Sequence, residues 1–389
     1  MFDLSNDQKI VLKKLLEWYK PDTELNPKYV TLGGYAGTGK TTLISILRRE
    51  LYNKYKTIKV SFCSYTGKGA IVLKNKLIDQ KAIYSQDTVS TIHSLIYSPD
   101  VNSNDEIIGW KLKDKIDCDL IIIDEASMVD AEIWRDLTSF NIPIIAVGDH
   151  GQLPPIVENF NLMQKPMLLL NEIHRQAKNN PIIQLSIQAR ENGIIKEGIY
   201  HDNIKKLLRK NAETGDLVEE LLSNYDPNTL VLCGYNNTRV RLNQYIRQKL
   251  GFENPEPDYK DRVICLRNNH EKEIYNGMIG TIILIDRQDE DWYNVQIEMD
   301  GIKEPYSGLI SIQQFNNPQS LNYTKDRRQI MGGDLFDFGY ATTVHKAQGS
   351  EAHRVIVFEE RFKQMDDEKW KRWLYTAVTR AQHELFIIG

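Results

Sequence analysis

The chain is poor in cysteine, has no long apolar run and carries no strong charge of either sign. Its four cysteines (Cys63, Cys118, Cys233 and Cys265) lie far apart, which argues against a zinc site or disulfide framework and is typical of a reducing compartment. No apolar run approaches a membrane span, and we expect no signal peptide because the first residues lack its basic and apolar regions. The formal net charge of -4 excludes a basic field over the whole protein, so a nucleic-acid site would have to be a local groove.

What is present is the composition of an ordinary globular protein, with 41% hydrophobic and 26% charged residues. The 389 residues are enough for two or three packed domains. The first part, residues 1–165, shows alternating strand and helix patterns. Short apolar runs there are typical of strands buried in a parallel sheet. The predicted strands are Val60 to Ser64, Leu120 to Ile123 and Ile142 to Val147, and the predicted helices are Lys68 to Leu77 and Val89 to Ile96.

A second α/β region covers residues 166–257 and resumes over 332–389. Its predicted strands are Leu230 to Cys233, Val355 to Phe358 and Leu385 to Ile388. A helical stretch is predicted after Pro181, and further helices are predicted from Asn237 to Leu250 and around Lys371 to Thr379. Between its two parts, residues 258–331 read as short β segments with turns, including the hairpin signal Asp300-Gly301. The sequence therefore predicts an α/β fold with two lobes, the second interrupted by a small all-β barrel.

The most informative segment is Gly34-Tyr35-Ala36-Gly37-Thr38-Gly39-Lys40-Thr41-Thr42. It matches the phosphate-loop pattern G-x-x-x-x-G-K-[ST], and it stands between a β-like run and a helical pattern, as the pattern requires. Its glycines allow backbone N–H groups to point at phosphates. Lys40 can reach the β- and γ-phosphates, and the Thr41 hydroxyl can bind Mg²⁺. The segment predicts nucleoside triphosphate binding, and the alternative is a chance glycine-rich turn.

Polar residues end the next two predicted strands. Asp124 can hold Mg²⁺ and Glu125 can activate a water molecule, although a solvated acidic turn is the alternative. Gln152, in the segment Gly148–Pro155, can sense the γ-phosphate, with an ordinary turn as the alternative. Two strands with polar carboxyl ends are the expected site geometry of an open α/β sheet.

Other candidates are weaker when taken singly. Arg175 and Arg380 fall in the predicted second lobe and can stabilise the γ-phosphate across a cleft, or they can be surface ion pairs. Thr66–Ala70 and Thr91–Ser94 begin helices and suit phosphates, but they are also ordinary caps. Thr342–Glu351 can donate to a nucleic-acid backbone, and its histidine can equally be a packed side chain.

Taken in order, these segments resemble the motifs of superfamily 1 helicases, and their details are similar to the RecD-like (Dda-like) branch. The matching segments are Gln8, Gly34–Thr42, Thr66–Ala70, Thr91–Ser94, Asp124–Ser127, Gly148–Pro155, Glu172–Gln176, Thr342–Glu351 and Tyr375–Gln382. The resemblance implies two RecA-like P-loop lobes, 1–165 and 166–257 with 332–389. It also implies an SH3-like insertion at 258–331, where Tyr275–Thr281 resembles the turn signature of that domain.

The resemblance implies ATP and Mg²⁺ as cofactors and a role for each candidate. Gln8 would read the adenine, and the nucleotide would be bordered by Gly37, Thr38, Gly39, Lys40, Thr41, Thr42, Gly349 and Glu351. Asp124 with Thr41 would hold the metal, Glu125 would be the catalytic base, and Gln152, Arg175 and Arg380 would contact the γ-phosphate. Single-stranded nucleic acid would lie along Thr66, Lys68, His93, Thr343 and His345.

The implied function is ATP-driven 5′-to-3′ movement on single-stranded DNA with unwinding at junctions. The implied setting is a monomer in the cytoplasm of a bacterial or phage-infected cell, at the nucleoid, with a replication or recombination protein as partner. One departure concerns the strand-separating pin, for which only residues 95–119 are available, and Ser98–Asp105 within them can instead be a surface loop. Unwinding is therefore less firmly implied than translocation. A nucleotide-gated binding module, a motor subunit of a helicase–nuclease and an RNA motor stay open as alternatives.

Overall fold

The structure is a computed structural model of the chain, and it describes residues 4–20, 27–101, 107–155, 160–172, 180–269, 271–272, 274–321 and 332–389. The chain forms two compact units, Met1–Asn179 and Asn180–Gly389. Within the described ranges, no helix combines the length and the apolar character that crossing a membrane requires.

The first unit is built on a six-stranded parallel sheet in the order β3-β2-β6-β7-β1-β8. Its strands are β1 (Tyr29–Gly34), β2 (Val60–Ser64), β3 (Thr88–Thr91), β6 (Leu120–Asp124), β7 (Ile144–Gly148) and β8 (Leu168–Leu170). Its helices are α1 (Asn6–Trp18), α2 (Lys40–Lys54), α3 (Gly67–Asp79), α4 (Ile92–Ile96) and α5 (Ala131–Ser139), with a 3₁₀ turn at Ala126–Met128. Apolar side chains cover both faces of the sheet in two buried clusters. This burial on both faces explains why β6 reads as a continuous apolar run.

The structure corrects the helix predicted over Val89 to Ile96. Its first part is β3, an edge strand that pairs with β2 in parallel, and α4 begins only at Ile92. The β-branched residues of Thr88–Thr91 favour the strand. Thr91 then caps α4, since its hydroxyl accepts the N–H of Ser94 at 3.1 Å. The first unit also continues past the predicted boundary at residue 165, because β8 pairs with β1.

Residues 95–119 contain a two-stranded antiparallel hairpin. Its strands are β4 (Tyr97–Val101) and β5 (Ile107–Leu112), and the intervening residues 102–106 lie outside the described ranges. Part of the segment 95–119, for which the sequence left a pin and a surface loop as alternatives, therefore forms a paired antiparallel hairpin.

The second unit contains another six-stranded sheet, in the order β17-β11-β18-β19-β10-β9. The strands are parallel except β9, which runs antiparallel to β10. They are β9 (Gly198–His201), β10 (Ile204–Leu207), β11 (Thr229–Cys233), β17 (Ala341–Thr343), β18 (Ala352–Phe358) and β19 (Ala381–Ile388). The helices are α6 (Pro181–Asn192), α7 (Ala212–Ser223), α8 (Asn236–Lys249) and α9 (Asp367–Val378).

An antiparallel sheet of five strands is inserted into the second unit, in the order β15-β14-β13-β12-β16. The strands are β12 (Arg262–Cys265), β13 (Ile279–Arg287), β14 (Trp292–Met299), β15 (Tyr306–Ser311) and β16 (Phe336–Phe338), and a 3₁₀ turn at Ile312–Gln314 follows β15. A bridge between Ile310 and Asp334 joins the two edges of the sheet, so the insertion closes as a small barrel. This confirms the all-β insertion, and the barrel extends to Phe338, beyond its predicted end at residue 331. Its likeness to an SH3 domain stays a prediction.

Candidate functional site

The glycine-rich segment forms the loop between β1 and α2. Gly37 and Gly39 have φ values of 79° and 75°, in the left-handed region that glycine adopts without steric cost. Thr38 is buried, and its hydroxyl donates to the carbonyl of Tyr35 at 2.8 Å. The loop ends at the N-terminus of α2, where Thr41 and Thr42 stand half-buried in the first turn. Unpaired N–H groups and the helix dipole at such an end favour a phosphate.

Lys40 is held inside this loop. Its Nζ donates to the carbonyls of Gly34 at 2.7 Å and Tyr35 at 3.0 Å, and it lies 4.0 Å from Oδ2 of Asp149. Asp149 is 1% exposed, and its Oδ1 accepts the N–H of Gly151 at 2.9 Å. Sequence reasoning quoted this strand end but assigned the role to Gln152, which is also buried. Asp149 therefore joins the candidate site as a residue that the sequence analysis missed.

Gln8 ties α1 to the loop. Its Nε2 donates to the carbonyl of Thr38 at 3.0 Å, and its Oε1 accepts the N–H of Ser5 at 3.0 Å. The Ser5 hydroxyl in turn accepts the N–H of Gln8, which completes a capping box. The residue that the resemblance assigns to adenine thus lies against the phosphate loop.

Asp124 and Glu125 lie at the same sheet edge as the loop. β6 neighbours β7, and β7 neighbours β1, so the carboxyl ends of these parallel strands meet at one edge. Oδ1 of Asp124 accepts the N–H of Glu125 at 3.0 Å. Glu125 has a φ of 55°, a left-handed conformation that costs a non-glycine residue about 1–2 kcal/mol. Strain of this kind is concentrated at functional sites.

The residues present fit Mg²⁺ and a nucleoside triphosphate. Mg²⁺ in phosphate sites binds one or two protein oxygens together with substrate phosphates, and Thr41 and Asp124 supply a hydroxyl and a carboxylate. Within the described residues, no three His, Cys, Asp or Glu side chains converge. The positive φ values of Gly37 and Gly39 supply the phosphate cradle.

Arg380 is anchored within the second unit. It is 3% exposed, and its Nε donates to the carbonyl of Thr376 at 3.0 Å. Its two terminal nitrogens donate to the carbonyl of Ser350 at 3.1 Å and to the Thr379 hydroxyl at 3.2 Å. Three guanidinium N–H groups therefore bind the C-terminal end of α9 and the loop before β18. Arg175 lies outside the described residues.

Two further nucleotide candidates lie beside Arg380. Gly349 has a φ of 75°, so the turn before β18 favours glycine there. Glu351 is exposed, and its Oε2 accepts from Nε2 of Gln382 at 3.2 Å.

The nucleic-acid candidates of the first unit stand at helix starts. Thr66 caps α3 by accepting the N–H of Gly69 at 3.0 Å, which is the ordinary cap that the sequence analysis kept as the alternative. Lys68 is half-buried in the first turn of α3. Burial lowers the pKa of His93, while Asp130 acts in the opposite direction, so the imidazole is neutral at pH 7.

His93 lies between two tyrosines. Its ring centroid is 6.2 Å from that of Tyr65 and 5.7 Å from that of Tyr97. The Tyr97 hydroxyl donates to Oδ2 of Asp136 at 2.6 Å, which fixes the ring at the base of the hairpin. Sequence reasoning assigned no role to either tyrosine, although a half-buried aromatic beside a helix start suits base stacking.

The nucleic-acid candidates of the second unit stand at the end of β17. Thr343 is 7% exposed, and its carbonyl accepts the N–H of Ala347 at 3.1 Å. His345 is largely buried, which lowers its pKa, so it too is neutral at pH 7. A neutral imidazole acts as a hydrogen-bond donor rather than as a charge.

Comparison with known proteins relates both units to helicases. A family model described as an AAA domain matches residues 21–158, and a model described as a UvrD-like helicase C-terminal domain matches residues 338–388. The chain is 25% identical to the ATP-dependent RecD2 DNA helicase of Deinococcus radiodurans, over 99% of this chain and 49% of the relative. It is 23% identical to the ATP-dependent DNA helicase dda of Enterobacteria phage T4, over 99% of both chains.

Coverage differs among the relatives. The chain spans about half the length of RecD2, at 49%, and 36% of an uncharacterised protein of Methanocaldococcus jannaschii. Among solved structures, Pif1 helicase from Bacteroides in complex with ADP-AlF3 and ssDNA aligns with 100% of this chain and 92% of its own, at a TM-score of 0.57 and 17% identity. That likeness shows the fold. The ordered motifs, the two family models and the shared fold together make the chain similar to the superfamily 1 helicases of the RecD/Pif1-like branch.

Proposed function

We propose that the chain is an ATP-dependent DNA helicase that moves 5′ to 3′ on single-stranded DNA and opens duplexes at junctions. The observation that carries the proposal is the sheet edge of the first unit, where the Lys40 loop and the Asp124–Glu125 pair end strands separated only by β7. That arrangement brings phosphate binding, a metal ligand and a general base to one edge. The named activities of RecD2, Pif1 and dda support the choice of DNA helicase.

The chemistry assigns separate tasks to the residues of this edge. The loop N–H groups and Lys40 bind the β- and γ-phosphates, and Thr41 with Asp124 holds Mg²⁺, which supplies charge neutralisation on the phosphates. Glu125 accepts the proton of the attacking water. Asp149, 4.0 Å from Lys40 Nζ, keeps the ammonium group oriented within the loop. Contacts of Gln152, Arg175 and Arg380 with the γ-phosphate belong to the same proposal.

The remaining assignments follow the resemblance. Gln8 borders the adenine, and Gly349 with Glu351 borders the nucleotide. Single-stranded DNA contacts the helix starts and strand ends of the two units at Thr66, Lys68, His93, Thr343 and His345. We further propose a cytoplasmic monomer that acts with a replication or recombination protein.

The test uses duplexes that carry either a 5′ or a 3′ single-stranded tail, with ATP and Mg²⁺. We expect unwinding only of the 5′-tailed duplex, because the proposed movement is 5′ to 3′. Lys40→Ala is the inactive control, and we expect it to keep its circular dichroism spectrum and lose hydrolysis. Unwinding of the 3′-tailed duplex alone would refute the polarity, and normal ATP turnover by Lys40→Ala would refute the site.

The short hairpin of β4 and β5 favours a second candidate, a translocase that moves on single strands without opening duplexes. Trp110 on β5 is 49% exposed, so it is the aromatic candidate for contact with a junction. Displacement of streptavidin from a biotinylated oligonucleotide end measures movement without unwinding. If Trp110→Ala displaces streptavidin normally but fails to unwind, the hairpin is the pin, whereas a native protein that displaces streptavidin and never unwinds is a translocase. ATPase stimulation by single-stranded DNA and RNA, compared side by side, tests the RNA alternative.

A further inference from the structure

Two histidines lie side by side near the beginning of neighbouring strands of the second unit. His353 is the second residue of β18, and His383 is the third residue of β19. The centroids of their imidazole rings are 4.7 Å apart, and the ring planes are inclined to each other by 33°. Both residues are exposed, so dissolved ions can reach the pair.

A shift of register between the two strands brings the histidines to the same face of the sheet. The paired residues on either side of the histidines show that β19 has one residue more than β18 in this interval: Ala352 with Ala381 and Arg354 with Glu384. In an unshifted ladder, His383 would be the partner of Arg354, and alternation along the strand would put it on the face opposite His353. Irregularities of this kind redirect side chains and are frequent beside functional sites.

The nearest charges in the chain do not oppose a cation at this pair. Nε of Arg354 donates to Oε2 of Glu384 at 2.5 Å, so the positive charge that follows His353 is neutralised. Alternation along the strands also places this ion pair on the face opposite the histidines. Glu351 precedes His353 by two residues, and its Oε2 accepts from Nε2 of Gln382 at 3.2 Å. A carboxylate at this position favours the approach of a cation.

The separation of the two rings agrees with two imidazoles that bind one metal ion. A metal–nitrogen bond is about 2.0–2.1 Å long and a ring centroid lies about 1.2 Å behind its nitrogen, so each centroid would lie about 3.2 Å from the metal. Nitrogen–metal–nitrogen angles from about 90°, as in square or octahedral sites, to about 109°, as in tetrahedral sites, then require centroids about 4.5–5.2 Å apart. The observed 4.7 Å lies within this range.

We propose that His353 and His383 form a two-histidine site for a divalent cation of the Zn²⁺, Ni²⁺ or Cu²⁺ class. Imidazole nitrogen suits these ions, whereas Mg²⁺ takes oxygen ligands. Among the residues whose placement the structure gives, no third His, Cys, Asp or Glu converges with the pair, so the other coordination positions are open to water. The site requires neither nucleotide nor DNA.

Titration of the untagged native protein with Zn²⁺, without nucleotide or DNA, tests the site. The measurement is NMR of the histidine ring nitrogens, because coordination shifts the resonance of the nitrogen that binds the metal. We expect the resonances of His353 and His383 to shift together and to saturate at one equivalent of Zn²⁺. Mg²⁺ at the same concentration should leave both unchanged. Shifts confined to other histidines, or to one member of the pair, would overturn the proposal.

The variants His353→Gln and His383→Gln each remove one ligand, and His201→Gln is the matched control. His201 is an exposed histidine on β9, the edge strand of the same sheet. Loss of an outer-shell partner alone weakens metal binding by about 10–100-fold, so loss of either ligand should weaken Zn²⁺ affinity by at least that factor in isothermal titration. The control should keep the native affinity.

Thermal unfolding gives a second measurement of the same site. A metal ion that binds the folded chain raises its Tm in proportion to occupancy, so Zn²⁺ should raise the Tm of the native protein and of His201→Gln more than that of either ligand variant. Equal Zn²⁺ affinity and equal Tm shifts in all four proteins would overturn the proposal. None of these measurements depends on ATP hydrolysis, so their failure is distinct from a failure of the helicase assignment.

Discussion

Arg380→Ala separates a structural role of this guanidinium from a catalytic one. The side chain is 3% exposed and donates to the carbonyls of Thr376 and Ser350 and to the Thr379 hydroxyl, at 3.0, 3.1 and 3.2 Å. Truncation to alanine removes all three hydrogen bonds. Each of the three acceptor oxygens then loses one hydrogen-bond donor in a place that water does not reach. The variant should therefore lower the free energy of unfolding of the second unit.

The decrease in the free energy of unfolding depends on whether each acceptor oxygen keeps another hydrogen-bond donor. A hydrogen bond from a charged group contributes about 1.5–3 kcal/mol. The Thr376 carbonyl keeps a second donor, the Thr379 hydroxyl at 3.1 Å, and that hydroxyl is itself satisfied, so the loss falls mainly on Ser350. We expect a total of about 3 kcal/mol, which is less than the 5–15 kcal/mol stability of a typical domain. The variant stays folded, and its chemistry can be measured.

Urea unfolding measures the free energy of unfolding of the variant. Single-turnover ATP hydrolysis with saturating single-stranded DNA measures the rate constant of the chemical step. If Arg380 also contacts the γ-phosphate, the hydrolysis rate constant falls by about 10³ to 10⁵ while ATP affinity changes little. Lys369→Ala, in the helix α9 that precedes Arg380, is the control, because its exposed pair with Asp366 at 3.8 Å contributes about 0–1 kcal/mol. An unchanged free energy of unfolding would refute the anchoring, and a rate reduced only by the unfolded fraction would refute the γ-phosphate contact.

Three other perturbations test the first unit. Glu125→Gln should retain ATP binding and lose hydrolysis by about 100-fold or more, measured by nucleotide titration and phosphate release, and an undiminished rate would exclude it as the base. Because burial lowers the pKa of His93, the unfolded chain binds the proton first as pH falls below about 6.5, and the free energy of unfolding decreases there. His93→Gln should flatten this dependence of the free energy of unfolding on pH, and an unchanged dependence would contradict the effect of burial on His93. Gly69→Ala should lower the free energy of unfolding, since its Cβ would lie 2.4 Å from Ser64 Oγ and 2.9 Å from Thr66 Oγ1. Adding Ser64→Ala should restore part of the loss, with a coupling of about 0.5–3 kcal/mol, and additive effects would contradict the clash with Ser64.

The nucleotide half of the candidate site could be predicted from the sequence because its signals are local. The loop from Gly34 to Thr42 requires glycine at particular backbone angles, and Gly37 and Gly39 adopt them. Asp124 follows directly on an apolar run long enough for a buried strand. The prediction of two α/β lobes with a β insertion rested on similar short-range patterns, and the sheets confirm it.

What the sequence does not reveal depends on tertiary neighbours. The apolar residues of Val89 to Ile96 fit a helical period, but pairing with β2 makes the first part a strand. Phe336–Phe338 is too short to signal a strand, and it becomes one by pairing with β12, far earlier in the chain. Asp149 reaches Lys40 because β7 lies between the strands that carry the loop and the acidic pair. None of these partners is encoded by spacing along the chain.

The same tertiary order links the two kinds of candidate site within the first unit. Ser64, the last residue of β2, is the register partner of Asp124 at the end of β6. Thr66, the cap of α3, follows Ser64 by two residues, and Glu125 follows Asp124 directly. The hydrogen bonds between β2 and β6 therefore connect the backbone of the proposed acidic pair to the start of α3. Coupling along these hydrogen bonds requires two arrangements of α3 with different affinity for nucleic acid. Within the part of the chain that the structure describes, the buried Ser64 hydroxyl beside Gly69 has no hydrogen-bond partner, so it is the polar group at this helix start that a change of arrangement can satisfy.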